Sequence, residues 1–199
     1  YHLWFTQATS NARQNALDNT YRDSTLVYNA HRVVYNTGFR DKGSPYHGGG
    51  GDIAAATPKD EPLLGAHDRV FASTGNGGSE ATGIRGQLAS WYAQQLGIPY
   101  LHAHYMRLYF NGSLFRSDIM EDLEQPNHDD AERWFPTGGA GDLYKISVWF
   151  EFGDDNSSFQ ATGATIQAFP TLGSPFKLAR YRWNWQRRSN DGDASNFGQ

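Results

Sequence analysis

The chain contains no cysteine. Disulfides, zinc–thiolate centres, iron–sulfur clusters and thiol nucleophiles are excluded together. No apolar run approaches the ~18 residues of a membrane-spanning helix, so no such span is expected. There is no basic excess either: 17 Lys and Arg face 21 Asp and Glu, a formal net charge of −4. That balance excludes binding driven by overall attraction to nucleic acid or to an anionic membrane surface. Hydrophobic residues make up only 38% of the 199 positions, but aromatics reach 15%. Disordered chains are poor in aromatics, so a folded core is expected. Residue 1 is Tyr and the only methionines are Met106 and Met120, so the sequence reads as a processed or partial chain. Two sequons, Asn111-Gly112-Ser113 and Asn156-Ser157-Ser158, matter only in a host that glycosylates.

Residues 1–7 read as a strand, residues 8–19 as a helix or loop, and residues 24–40 as a hairpin about Asn29-Ala30. Residues 41–61 are a long irregular stretch containing Gly48 to Gly51, and a loop of that length is usually functional or mobile. Residues 83–96 carry Ile84, Leu88, Trp91, Tyr92 and Leu96 at helical spacing, with Ser79-Glu80 as a start signal and Gly97 and Pro99 as stop signals. The spacing predicts a helix that buries Ile84, Leu88, Trp91 and Leu96 against a sheet. Residues 100–110 read as a strand, Asn111-Gly112 as a hairpin turn and residues 113–120 as the return. Residues 143–152 alternate, with Tyr144, Ile146, Val148, Phe150 and Phe152 expected to face inward and Lys145 outward. Residues 178–186 alternate again. The expected class is α+β: an antiparallel sheet with one principal helix packed on it, forming a single domain over 1–188 with a polar tail at 189–199.

Four groups of residues could carry chemistry. Arg40-Asp41-Lys42-Gly43-Ser44-Pro45 ends a strand and leads into the glycine run. Backbone amides beside Lys or Arg suit a phosphate, although the pattern is neither a Walker loop nor GxGxxG and also reads as a flexible surface loop. Glu121-Asp122-Leu123-Glu124 with Asp129-Asp130 could hold a hard cation through oxygen, or form a solvated acidic segment, which is the favoured reading. His102 and His104 would point the same way on a strand, but no third ligand stands at a diagnostic spacing, which favours packing histidines over metal ligands. The Arg and aromatic stripe at 180–188 could stack on carbohydrate or single-stranded nucleic acid. The net negative charge argues against nucleic acid, and a strand with a core-facing aromatic row needs no ligand.

In order, the chain has an Arg-x-x-Gly-Ser loop, a connector with Leu-Leu-Gly, a helix ending in Leu-Gly-Ile-Pro, LGIPYLHAHYMRLYFNG at 96–112, a Met-Glu-Asp segment, and Gly-Asp-Leu-Tyr-Lys at 141–145. That order resembles the spore-coat CotH kinase family of atypical protein kinases, over roughly residues 30–150. The resemblance implies a kinase-like small lobe over residues 24–122, with the helix at 83–96 in the place of the kinase regulatory helix. It implies that Arg40, Gly43 and Ser44 lie over the phosphates of ATP and that Met120, Glu121 and Asp122 begin the linker meeting the adenine. Mg²⁺ and a protein substrate phosphorylated on Ser or Thr come with the same resemblance. So does an exported, cell-surface or extracellular setting, spore coat included, with self-association as a surface component.

The chain departs from the family in three places. Where the family has a lysine-rich strand, this chain has Gly-Asp-Ile-Ala-Ala-Ala-Thr-Pro-Lys, leaving only Lys59 to grip phosphate. The return strand carries Arg116 and Asp118 in place of the family's Gly and aromatic. No Asn-Trp-Asp-type catalytic segment follows residue 152; Asn184-Trp185 is followed by Gln186. Catalytic residues are therefore unassigned, and phosphoryl transfer needs them in place together. A non-catalytic structural or adhesive module built on the same fold is the alternative reading, and a carbohydrate-binding module a weaker one.

Overall fold

The β-rich runs of the first 125 residues form one nine-stranded sheet. In this computed structural model the described residues are 1–14, 18–43, 51–74, 80, 82–116, 119–137, 141–146, 149–150, 160–161 and 185–189. The strands are β1 (His2–Trp4), β2 (Arg22–Tyr28), β3 (Arg32–Asp41), β4 (Ile53–Ala56), β5 (Asp68–Ser73), β6 (Ala103–Met106), β7 (Tyr109–Phe110), β8 (Ser113–Leu114) and β9 (Met120–Glu124). Their order is β6-β9-β5-β4-β3-β2-β1-β7-β8. Every pairing is antiparallel except β1 with β7. The α+β class stands, but the sheet is mixed; among the described residues the helices are α1 (Gln7–Gln14) and α2 (Arg85–Leu96) in the same unit and α3 (His128–Trp134) in the second.

Turn chemistry sets much of the register. Asn29 (φ 49°) and Ala30 (φ 59°) close the β2–β3 hairpin, and Asn111 (φ 48°) with Gly112 (φ 85°) closes β7–β8. Positive φ at both central residues gives a twist matching that of the flanking strands. The expected return strand at 113–120 is split: β8 pairs with β7, and β9 pairs with β6 further along the same bent hairpin.

β6 and β7 are two halves of one extended run broken at Arg107-Leu108, yet they lie at opposite ends of the strand order. The sheet therefore curls until that run joins its two sides. Tyr1 completes the junction: its backbone nitrogen donates to the Arg107 carbonyl at 2.6 Å and its carbonyl accepts from Tyr109 at 2.8 Å. Curling encloses a core of Tyr1, Leu3, Leu26, Val34, Phe39, Ile53, Phe71, Leu108 and Met120. Alternation along each strand sends these residues inward.

The curled sheet has two ends. One, the turn end, carries the Asn29-Ala30 turn, the 57–67 connector, Tyr1 and the start of β6. The other, the loop end, carries α1, the 42–52 loop, the Asn111-Gly112 turn and the last residue of β5.

α2 is helical as expected, and its stop signal works: Gly97 (φ 65°) donates to Gln94 O and Ile98 to Ala93 O, closing the helix in a Schellman arrangement. Its orientation is the reverse of the expectation. Gln87, Ser90 and Ala93 are its less exposed positions, whereas Ile84, Leu88, Trp91, Tyr92 and Leu96 face outward, Trp91 being 52% exposed. The burial expected for Ile84, Leu88, Trp91 and Leu96 is thus corrected. The helix meets the sheet through polar contacts: Gln87 donates to Glu121 Oε1 at 3.0 Å, and Tyr105 Oη donates to the Gly83 carbonyl at 2.9 Å.

The chain divides into two compact units, Tyr1–Gln125 and Pro126–Gln199. In the second, Asn127 caps α3: its side chain accepts from Asp129 N, and its own N–H donates to Asp130 Oδ2. This is a capping box that satisfies two orphan amides. β10 (Tyr144–Ile146) pairs with β13 (Trp185–Arg187), and β11 (Trp149–Phe150) with β12 (Gln160–Ala161). Tyr144 is half-buried and Lys145 is exposed, but Ile146 is exposed as well, so its expected inward position is corrected. Val148, Phe152 and most of the 180–188 stripe lie outside the described residues.

Candidate functional site

At the loop end, the residues that follow β3 and precede β4 are tied together by Lys42 N donating to Asp52 O at 2.9 Å. Asp52 Oδ1 accepts from both the backbone N (2.9 Å) and the hydroxyl (3.1 Å) of Ser73 at the end of β5. Lys42 Nζ and Arg116 Nη1 each stand 4.0 Å from an Asp52 oxygen. Arg116 also donates to Ser73 Oγ and to the Gly51 carbonyl. Gly51 has φ 76°, and a Cβ there would lie 3.0 Å from Arg116 Nη1. The left-handed backbone favours glycine at this position, and a larger residue would make the Arg116 guanidinium give way by a few tenths of an ångström.

Two further cations border this place. Arg13 of α1 pairs with Asp41 at 2.6 Å and lies over the rings of Phe110 and Phe115. Arg40 donates to Asn19 Oδ1 and to the Asp41 carbonyl, with its guanidinium over Tyr21. Arg13, Arg40, Lys42 and Arg116 thus face Asp41 and Asp52, while neighbouring Arg22 and Asp18 pair with each other. In a chain of net charge −4, this end is locally cationic. Lys42 and Arg116 remain partly exposed, so a small anion can reach both.

The residues expected to bind nucleotide are not brought together. Arg40 and Gly43 (φ 103°) lie at the loop end, and Ser44 lies outside the described residues. Lys59 is exposed at the turn end, beyond β4; four strand residues span about 13 Å. Lys59, the one lysine left to grip phosphate, therefore stands at the other end of β4 from Asp52. Met120, Glu121 and Asp122 are buried in β9, which pairs with β5 on one side and β6 on the other. Its backbone is committed to two ladders, so the free edge expected of an adenine-binding linker is absent at 120–122.

The acidic run that reads as solvated is built into the turn end. Asp122 is fully buried and accepts from Arg69 Nε at 2.5 Å and from Tyr1 Oη at 2.6 Å. Arg69, itself buried, also donates to the Leu63 carbonyl at 3.1 Å. That carbonyl is presented by the Leu64-Gly65 turn, in which both residues have positive φ and Leu63 and Ala66 bond to each other. His104 Nε2 lies 2.5 Å from Tyr1 Oη and 3.3 Å from Asp122 Oδ2. Burial holds the His104 imidazole below its usual range, more than Asp122 raises it. Burial and the Asp122 carboxylate push the Tyr1 phenol well up, so it stays protonated and donates. Glu124 Oε2 accepts from His102 N at 2.8 Å. The His102 ring lies against Tyr100, so the two histidines do not form a pair. Among the described residues no group of three or more His, Asp or Glu side chains is placed to hold a metal ion.

Sequence reasoning missed Arg69, Asp52, Ser73 and Arg13, and met Arg116 only as a departure from a pattern. Arg116 meets Ser73 and Gly51 from 43 and 65 positions away, and no local spacing announces such a meeting. No family model matches the sequence, and no curated protein matches it. The class that the fold defines is an α+β protein with a curled mixed sheet and a cationic loop end. Among the described residues no helix is long and apolar enough to cross a membrane.

Proposed function

We propose that this chain is the nucleotide-binding portion of an ATP-dependent Ser/Thr protein kinase of the CotH-like type, with polyphosphate held at the loop end. The observation that carries this reading is the convergence of Lys42 and Arg116 on Asp52, the residue that follows the Gly48–Gly51 run in sequence. In this arrangement Arg116 takes the part that the missing lysine strand would play. An incoming phosphate replaces two long 4.0 Å contacts to Asp52 with short charge-assisted bonds, each worth about 1.5–3 kcal/mol. An exported or cell-surface setting belongs to the same reading through the family resemblance.

The cations of the loop end suit the anionic half of Mg-ATP, and among the described residues no group of three or more His, Asp or Glu side chains stands ready for the metal. The chain by itself is therefore expected to bind ATP weakly and to transfer no phosphoryl group. A second reading, a non-catalytic module of the same fold, is favoured by the position of Lys59 and by the fully paired backbone of β9. Calorimetric titration with ATP, with and without Mg²⁺, separates the two. Weak binding that needs Lys42 and Arg116 supports the nucleotide reading; no binding supports the module.

A further inference from the structure

Amphipathic helices usually turn their apolar stripe to the core. α2 does the opposite, setting Gln87, Ser90 and Ala93 toward the sheet and leaving Ile84, Leu88, Trp91, Tyr92 and Leu96 outside, continued by Ile98. Leu96 is 71% exposed, and all six exceed 45%. With aromatic side chains of roughly 150–250 Å² and aliphatics somewhat smaller, these fractions leave on the order of 600 Å² of apolar surface on one short helix. The largest patch on a typical monomer is about 300–600 Å² and is often functional.

We infer that this face is a self-association surface, seated on α2 of a second copy of the chain about a two-fold axis. Area is the first argument. Two such faces together bury on the order of 1,200 Å², the lower bound of a specific interface and above the ~800 Å² of most lattice contacts. Charge is the second. Arg85 is the only charged residue of α2, so copies meet without like-charge repulsion if the helices run antiparallel, which places the two Arg85 side chains at opposite ends. A two-fold axis makes such a patch complementary to itself. A membrane surface fits the face less well: interfacial helices expose a Lys- and Arg-rich polar side, and Arg85 is the only basic residue of α2.

The test is sedimentation of the full chain between about 1 and 200 µM, a range that covers the weak association expected of an interface at the small end of the specific ones. The expected result is a reversible monomer–dimer equilibrium, with amide exchange across 85–96 slowing as concentration rises. Trp91→Glu and, separately, Leu96→Lys are expected to raise the dimer dissociation constant at least tenfold while leaving the far-UV circular dichroism unchanged. Both positions are exposed, so neither substitution threatens the fold. Three results overturn the inference: a monomer throughout the range, a dimer indifferent to both substitutions, or concentration-independent protection of 85–96, which means that the chain covers the face itself. Co-sedimentation of monomer with phosphatidylcholine–phosphatidylserine vesicles, lost in Trp91→Glu, overturns it in favour of a membrane surface.

Discussion

Each end of the curled sheet holds an arginine beside an aspartate, and the two pairs differ in what water can reach. At the turn end, Arg69 and Asp122 are fully buried and 2.5 Å apart, with Tyr1 and Leu63 O meeting their remaining hydrogen-bonding needs. At the loop end, Arg116 and Asp52 stand 4.0 Å apart, both partly exposed, and share their neighbourhood with Lys42. A buried pair is costly to separate, because removing one partner leaves a charge with no water. An exposed pair contributes little and is free to trade partners. The first is suited to holding the sheet closed, the second to receiving an anion.

The largest expected effect comes from breaking the buried pair. Arg69→Met leaves Asp122 uncompensated and is expected to destabilise the chain by about 3–5 kcal/mol in chemical denaturation. Arg69→Met with Asp122→Leu is expected to recover much of that loss. If the single variant unfolds no more easily than the parent, the turn end is not a structural lock.

The matching change at the loop end sharpens the contrast. Arg116→Gln is expected to alter stability by less than about 1 kcal/mol, yet to weaken ATP binding roughly tenfold, the equivalent of about 1.4 kcal/mol. Gly51→Ala is expected to act in the same direction, because its Cβ would press on the Arg116 guanidinium.

Acid offers a third probe. His104 lies half-buried against Tyr1, Asp122, Arg69 and Glu124, and its pKa in the folded chain is below its usual value of 6.5. The unfolded chain then binds the proton more readily, so stability rises with pH through this interval. The contribution of neutral His104 is present above about pH 6.5 and is lost as the pH falls toward the lowered value. Thermal unfolding followed from pH 7.5 to 5 is expected to show this slope, and His104→Asn to flatten it. Equal slopes in both proteins would remove His104 from the lock.

The smallest effects are expected on the outward face of α2 and in the 57–67 connector. Trp91→Ala, on the outward face of α2, is expected to change the stability of the monomer by no more than about 0.5 kcal/mol. Leu64 holds φ 52° in the turn that presents the Leu63 carbonyl to Arg69. Leu64→Gly is expected to stabilise the chain slightly, by about 1 kcal/mol or less, through relief of left-handed strain.

What could be read in advance follows from the range of the interactions involved. Turns are local: Asn29-Ala30, Asn111-Gly112 and Gly97 act where the sequence places them. Helical periodicity is local too, but it says only that two faces differ, not which one the protein buries. α2 carries the expected period and the opposite orientation because Glu121 and Tyr105 offer the helix polar partners. The acidic run at 121–124 looks solvated because its partners, Gln87, Arg69, Tyr1 and the His102 amide, lie 22 to 121 positions away. Arg40 and Asp41 end β3 and Lys42 and Gly43 follow it, as the sequence suggests, while Ser44 lies outside the described residues. That Arg116 would arrive beside Lys42 was not legible, since it depends on the sheet curling to bring β5 and the segment after β8 to one end.

The most direct test of the loop end as an anion site is calorimetric titration of the chain with ATP, set beside a double variant carrying Lys42→Gln and Arg116→Gln. The expected result is binding with a dissociation constant of roughly 0.1–1 mM, corresponding to about 4–5.5 kcal/mol, lost in the double variant while its unfolding midpoint stays near that of the parent. Absence of binding in the parent, or binding undiminished by the double substitution, would contradict it.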